Sequence, residues 1–343
     1  MKLSRRLLTG VIALAAAGAM TGPVLAADAA HTLTVRLDWL PSGYQAPIFL
    51  AAEKGWYKDA GLDVTVDQGN GSATTVQLVG AGQYDIGFAT LSTMAFAVGK
   101  GLPVTSVACF FRKVDLGLLV PVDSPIKSPA DSKGKRMVYT AGSMETPFLD
   151  PWFAKGGFTR SQADLVQVDA SAKIPTYLQD SSEGVFTSTA FSLSVVKPKK
   201  PTRSVLFADF GMNMPGFGLV ANTDGLKKKG DAIRKFASIT SGAWAYIVNG
   251  HHEDEAVKAI MKAREQARLD PVLTRGQLDD SMPFLYTPAS EKLPIGVQAE
   301  ADWTSTIKVL EDAKTIEPGS KANAYFTNDY LDLDLIKTIA AKS

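Results

Sequence analysis

The chain alternates two hydrophobic periods. Leu33-Thr34-Val35-Arg36-Leu37 half-alternates as a strand, and Ala46 to Tyr57 then places Ile48, Leu50, Ala51 and Ala52 near helical spacing, with Gly55 and Gly61 bracketing the exit. Leu62 to Val66 alternates again. Ser72 is placed to cap a helix running to Gly80 with Val76, Leu78 and Val79 inward, and Tyr84 to Phe88 reads as a third strand. A helix from Leu91 to Val98 and a strand from Val104 to Phe110 complete this first block. Strand and helix recur about every 20–25 residues, which predicts βαβ crossovers and a parallel sheet.

From Val120 to Lys135 the composition shifts to proline, serine and glycine, as in a connection into a second lobe. Alternation resumes with Arg136 to Thr140, the loop Ala141 to Thr146, a helix from Pro147 to Lys155, a strand from Asp164 to Val168, a helix from Ile174 to Asp180 and a short strand from Gly184 to Thr187. The lysine-rich run from Lys197 to Pro201 should be an exposed turn. Ser204 to Ala208 and Phe217 to Ala221 would then carry the chain back to the first lobe. After Gly230 the pattern is helical only, with Ile233, Phe236, Ala237, Thr240, Trp244 and Ile247 on one stripe and Ala256, Ile260 and Ala263 on another. Further helices are expected at Arg275–Leu285, Val297–Asp312 and Leu331–Ala341, packed around the outside of the lobes.

Length and charge narrow the class. A chain of 343 residues exceeds what one core usually organises, so two α/β lobes are expected, and a hydrophobic fraction of 45% can fill both. Lys2, Arg5 and Arg6, the apolar run Leu7 to Ala19 and Val24-Leu25-Ala26 form a secretory leader over residues 1–26, with partial resemblance to a twin-arginine signal. That run is too short to span a bilayer, and no later segment is long and apolar enough for membrane insertion. Losing the leader removes three of the 36 basic residues and none of the 35 acidic ones, so the mature charge is about −2, which argues against nucleic acid or an anionic membrane as partner. Cys109 is the only cysteine, so no intrachain disulfide forms and no lipid-bearing cysteine stands at the cleavage point. A soluble protein outside the cytoplasm follows, and nothing in the sequence demands more than a monomer.

The candidate chemistry is that of binding. No Gly-x-Ser-x-Gly elbow is present, Cys109 lies in an apolar strand, and His251-His252-Glu253-Asp254-Glu255 reads as a solvated first helical turn rather than a metal cluster. Gly69-Asn70-Gly71 between a strand and a helix has the look of a dinucleotide turn, but Thr74 replaces the third glycine; the amides there can hold any acceptor, or the glycines only make a turn. No cofactor or metal is expected. What remains is a set of loops rich in aromatic and hydroxyl groups. In the first lobe they offer Asp38, Trp39, Ser42, Tyr44, Gln45, Asn70, Gly71, Ser72, Thr90, Ser92 and Thr93. In the second lobe and near the return they offer Gly142, Ser143, Thr146, Phe191, Asp209, Phe210 and Asn213. Aromatic walls supply stacking area and a few fixed donors and acceptors orient a ligand. Trp39 could equally plug the sheet end, and Asp38 could equally cap its own loop.

Leu37-Asp38-Trp39-x-Pro41, Leu50-Ala51-x-x-Lys54-Gly55-x-Tyr57-x-x-x-Gly61-Leu62-Asp63-Val64, Gly69-x-Gly71-Ser72 and Gly82-x-x-Asp85-Ile86-Gly87 resemble the type II periplasmic solute-binding proteins of ABC importers. Within them, the chain is similar to the nitrate/sulfonate/taurine and thiamine-pyrimidine-precursor group. The resemblance covers essentially the whole mature chain. It implies two doubly wound α/β lobes, residues 31–115 with 217–343 and residues 116–216, joined by hinge strands near Phe110–Leu119 and Asp209–Val220. It also implies a small-molecule solute in the cleft, closure on binding, and delivery to a membrane permease driven by a cytoplasmic ATPase.

Within that group the Asp-Trp-x-Pro form leans toward heteroaromatic ligands such as pyrimidine precursors, whereas Ser42-Gly43-Tyr44-Gln45 departs from the Asn and His common at that place. The favoured ligand is a small planar aromatic or heteroaromatic solute, with an alkanesulfonate, taurine or nitrate second. Eukaryotic thiamine-pyrimidine synthases share the fold with a cysteine-rich motif and an active-site histidine and lysine. One cysteine, no histidine in the candidate loops and a leader argue against an enzyme.

Overall fold

The computed structural model describes residues 31–312, 314 and 316–342, so the leader expected at 1–26 lies outside the described residues. The chain runs through β1 (Thr32–Arg36), α1 (Ala46–Glu53), α2 (Trp56–Asp59), β2 (Asp63–Asp67), α3 (Ser72–Gly80), β3 (Ile86–Thr90), α4 (Leu91–Gly99) and β4 (Val104–Cys109). It continues through β5 (Leu116–Pro121), β6 (Arg136–Tyr139), α5 (Leu149–Lys155), β7 (Asp164–Gln167), α6 (Ala170–Leu178), β8 (Gly184–Ser188), α7 (Thr189–Val196), β9 (Thr202–Leu206) and β10 (Phe217–Asn222). The helices α8 (Thr223–Gly250), α9 (Glu253–Ala263), α10 (Pro271–Ser281), α11 (Glu300–Asp312) and α12 (Leu333–Ala340) follow.

Two sheets result, in the orders β2-β1-β3-β10-β4 and β7-β6-β8-β5-β9. The parallel sheet expected from the alternation is corrected to two mixed ones: β10 runs antiparallel to β3 and β4, and β5 antiparallel to β8 and β9. The cause is topological. Each antiparallel strand is the one that arrives directly from the other sheet, with no helical crossover to turn it round. Residues 122–135, expected to lead into the second lobe, instead join β5 to β6 inside the second sheet. β5 escaped the periodicity because Leu116 and Leu118 to Val120 form a continuous apolar run, buried on both faces.

Local chemistry sets several boundaries. Gly55, at φ +75°, breaks the expected Ala46–Tyr57 helix into α1 and α2. Ser72 is the first residue of α3 rather than its cap; Gly71 holds that place, and the Ser72 hydroxyl accepts from the Thr90 amide at 3.1 Å. Asn222 caps α8 by accepting from Asp224 and Gly225 amides, and Ser188 caps α7 by accepting from Phe191. Glu253, Asp254 and Glu255 do stand in the first turn of α9. Cys109 is buried core, where burial pushes its thiol well up.

The two crossings between the sheets lie side by side. The Phe217 carbonyl accepts from the amides of Phe110 (2.9 Å) and Phe111 (3.0 Å), and the Gly216 amide donates to Phe111 at 2.7 Å. One apolar core gathers around β1, α1, α8, α9 and α12, while a second runs from α3 and α4 through β5 to Trp152 and on to Trp303. Helix α10 packs on α7 of the second sheet and beneath the turn Gly43–Gln45 of the first. There Gln277 accepts from the Gly43 amide and donates to the Phe191 carbonyl, both at 3.1 Å.

Trp152 anchors the second core: it is fully buried, stacks on Phe207 at 4.4 Å and donates its indole N–H to Ser132 at 3.1 Å. Trp152→Ala is therefore expected to lower unfolding free energy by about 3–5 kcal/mol in urea titrations, whereas a loss under 1 kcal/mol would show that this core does not depend on it.

Candidate functional site

Parallel strands place their carboxyl ends on one edge of each sheet, and these two edges face each other across a cavity of about 620 Å³ including its open mouth. The first wall comes from the loops after β1 and β2: Asp38, Trp39, Tyr44, Gly71 and Ser72. Phe217 joins them because β10 is antiparallel and its first residue pairs with Thr90, the last of β3. The second wall comes from the loop after β6 (Ser143, Met144, Glu145), from Lys173 and Ile174 on α6, and from Thr187, Ser188, Phe191 and Ser192 where β8 enters α7. Open α/β folds place ligands at such edges.

The first wall is held by its own backbone. The Gly71 amide donates to the Asp38 carbonyl at 2.6 Å and Gly69 to the Trp39 carbonyl at 3.0 Å, stitching the two loops together. Gly69 is required by contact: a Cβ there would lie 2.0 Å from the Leu37 carbonyl oxygen. The Asp38 carboxylate accepts from Gln45 Nε2 at 2.8 Å and from the Tyr44 hydroxyl at 3.3 Å. Burial outweighs these bonds and pushes Asp38 up to about 7, and the same burial, with Asp38 beside it, pushes the Tyr44 hydroxyl well above its ordinary value. Tyr44 also packs against Phe217 at 5.0 Å and Phe88 at 5.9 Å, so the floor is aromatic.

The second wall carries a buried ion pair. Lys173 Nζ donates to Glu145 Oε1 at 2.5 Å and to Ser143 Oγ at 3.2 Å, and the Thr140 amide donates to the same Glu145 oxygen at 3.1 Å. Behind it, Asp115 accepts from the Ser188 hydroxyl and the Ala190 amide, and burial raises Asp115 to about 6.

Of the residues expected from sequence, Asp38, Trp39, Tyr44, Gly71, Ser72, Ser143 and Phe191 line this cavity. Gln45 and Ser42 lie just behind, Gln45 holding Asp38 and receiving the Ser42 amide at 3.1 Å. The others do not line it. Asn70 accepts from Arg36, Thr90 donates to Thr93 at 2.7 Å, Ser92 is buried, and Thr146 donates to the Thr140 carbonyl. Gly142 is an exposed turn residue at φ +75°, Asp209 pairs with Lys113 at 3.1 Å, Phe210 packs edge-on against Trp152, and Asn213 stands outside the lining with a buried Oδ1 lacking a partner. Sequence reasoning missed Glu145 and Lys173. The signal for Lys173 was its place four residues before Tyr177, on the inward face of α6. Among the described residues no group of three or more His, Cys, Asp or Glu side chains could hold a metal ion.

The chain is similar in sequence and fold to known proteins. The periplasmic aliphatic sulphonate binding protein SsuA from Escherichia coli superposes with a TM-score of 0.65 at 14% identity, over 86% of this chain and 91% of that one, which shows the periplasmic binding protein fold. The formylaminopyrimidine-binding protein of Halalkalibacterium halodurans is 22% identical over 306 residues, 88% of this chain and 91% of that protein. The 4-amino-5-hydroxymethyl-2-methylpyrimidine phosphate synthase THI11 of Saccharomyces cerevisiae is 35% identical over 108 residues. That match spans 31% of this chain and about a third (32%) of the yeast protein's length. The family model described as NMT1/THI5 like matches residues 42–256, from the turn beneath Asp38 to the first turn of α9, and the chain belongs to the NMT1/THI5-like family.

Proposed function

We propose that this protein is an extracytoplasmic solute-binding protein. It captures a small planar heteroaromatic solute bearing N–H donors in the cleft between a lobe of residues 31–115 with 217–343 and a lobe of residues 116–216. Export by the leader at 1–26 would place it in the periplasm, where it hands the solute to the permease of an ABC importer and takes part in no turnover. The observation that carries this reading is the lining itself: four aromatic rings (Trp39, Tyr44, Phe191, Phe217), with two carboxyls, Asp38 and Glu145, against one ammonium, Lys173. Rings favour a planar ligand, and carboxyl acceptors favour one that donates. A pyrimidine precursor fits that chemistry, and the name of the Halalkalibacterium relative supports it.

Two other readings are weaker. An alkanesulfonate, taurine or nitrate would bring negative charge to a cleft whose lone cation is already neutralised by Glu145. A synthase, as the yeast relative is named, would use a histidine and cysteines near the ligand. Here His252 stacks on Tyr246 at the end of α8 and Cys109 is held in the core.

Mature protein, stripped of carried-over solute by unfolding and refolding, is expected to gain thermal stability with aminopyrimidines and not with sulfonates; at 100 times the dissociation constant the gain is about 2.7 kcal/mol. A shift with sulfonates alone, or turnover of a pyrimidine, overturns the proposal. Trp39 is only half-buried, so Trp39→Ala should leave the fold intact and weaken binding about tenfold or more; unfolding of this variant would instead assign Trp39 to the core. Asp38 ionises near pH 7 in the free protein, and a ligand N–H favours its charged form. Affinity for a neutral donor ligand, followed by calorimetry from pH 6 to 8, should therefore rise with pH in the native protein and stay flat in Asp38→Asn.

A further inference from the structure

Glu145 is fully buried at the cavity wall, yet only one of its oxygens is used. Oε1 accepts from Lys173 and from the Thr140 amide, whereas Oε2 is buried without a hydrogen-bond partner. Leaving a buried carboxylate oxygen without a donor is costly, and here it belongs to a residue that lines an open cavity. Lys173 has three N–H donors and commits two, to Glu145 and Ser143. The pair thus keeps one acceptor and one donor uncommitted at the cavity wall.

Resting on the heteroaromatic reading above, we infer that Glu145 and Lys173 form the specificity pole of the second wall, reading a donor–acceptor edge in which an exocyclic amino group stands next to a ring nitrogen. The amino group donates to Glu145 Oε2 and the ring nitrogen accepts from Lys173 Nζ. A ligand with acceptors only would set lone pairs against Oε2, and one with donors only would leave Lys173 facing an N–H. Discrimination between such analogues is strong because the mismatched partner is left buried and unpaired.

The test compares 4-amino-2-methylpyrimidine with 2,4-dimethylpyrimidine, in which a methyl of nearly the same size replaces the amino group, so that ring and ring nitrogens stay but there is no N–H to give. Calorimetry on the stripped mature protein should show the amino compound preferred by about tenfold or more. In the double variant Glu145→Met/Lys173→Met the affinities left for the two compounds should differ by less than about threefold. Removing both charges together leaves neither buried alone, a replacement often neutral for folding, and a melting curve checks this. Equal affinity of the native protein for the two compounds, which needs no variant, overturns the inference and leaves the aromatic-solute reading standing. So does a folded double variant that keeps the full preference. Failure of the native protein to bind either pyrimidine overturns both.

Discussion

One carbonyl oxygen, that of Phe217, organises the molecule. It accepts the amides of both Phe110 and Phe111 and so fixes the outgoing chain against the returning one. From that junction, β5 and β10 each enter a sheet antiparallel to their neighbours, which forces the carboxyl edges of the parallel strands toward each other. The junction is apolar and buried. Phe217, Phe111, Phe88 and Tyr44 pack ring against ring there, and the cleft floor is the solvent side of this cluster. Hydrogen bonds in so apolar a setting are stronger than in water.

The same burial governs the electrostatics. Asp38 is costly to ionise where it lies, and the bonds from Gln45 and Tyr44 return only part of that cost. Glu145 is treated differently: a lysine stands against it, and the pair has no net charge to offer a passing anion. Two carboxyls on opposing walls, one near neutrality and one in an ion pair, make a cleft with acceptor capacity and little field. Such a site selects by hydrogen-bond pattern more than by charge.

How much of this was legible in the sequence follows from which signals are local. The stretch from Asp38 to Ser72 was readable because each feature there is short-range: a strand ending in Asp-Trp, a glycine turn, a helix start. Residues whose use depends on distant partners were not. Thr90, Ser92 and Thr93 looked like ligand hydroxyls, but Thr90 gives its hydroxyl hydrogen to Thr93 and Ser92 is packed away. Asn70 turns outward to Arg36. β5 was hidden by its unbroken apolar run, and α7 by hydroxyl residues that weaken helical periodicity. Glu145 and Lys173 are 28 residues apart in sequence and meet only because β6 and α6 bring them to one wall.

Gln277 gives a last consequence. Its carboxamide lies outside the cavity lining, yet it ties the turn carrying Tyr44 to the helix carrying Phe191, so one side chain gauges the gap between opposing rings. A change of side-chain length at this position would alter the cleft's width without altering any group a solute touches. Ligand preference in chains of this architecture can therefore drift from behind the walls, by way of a residue that an inventory of contact positions would pass over.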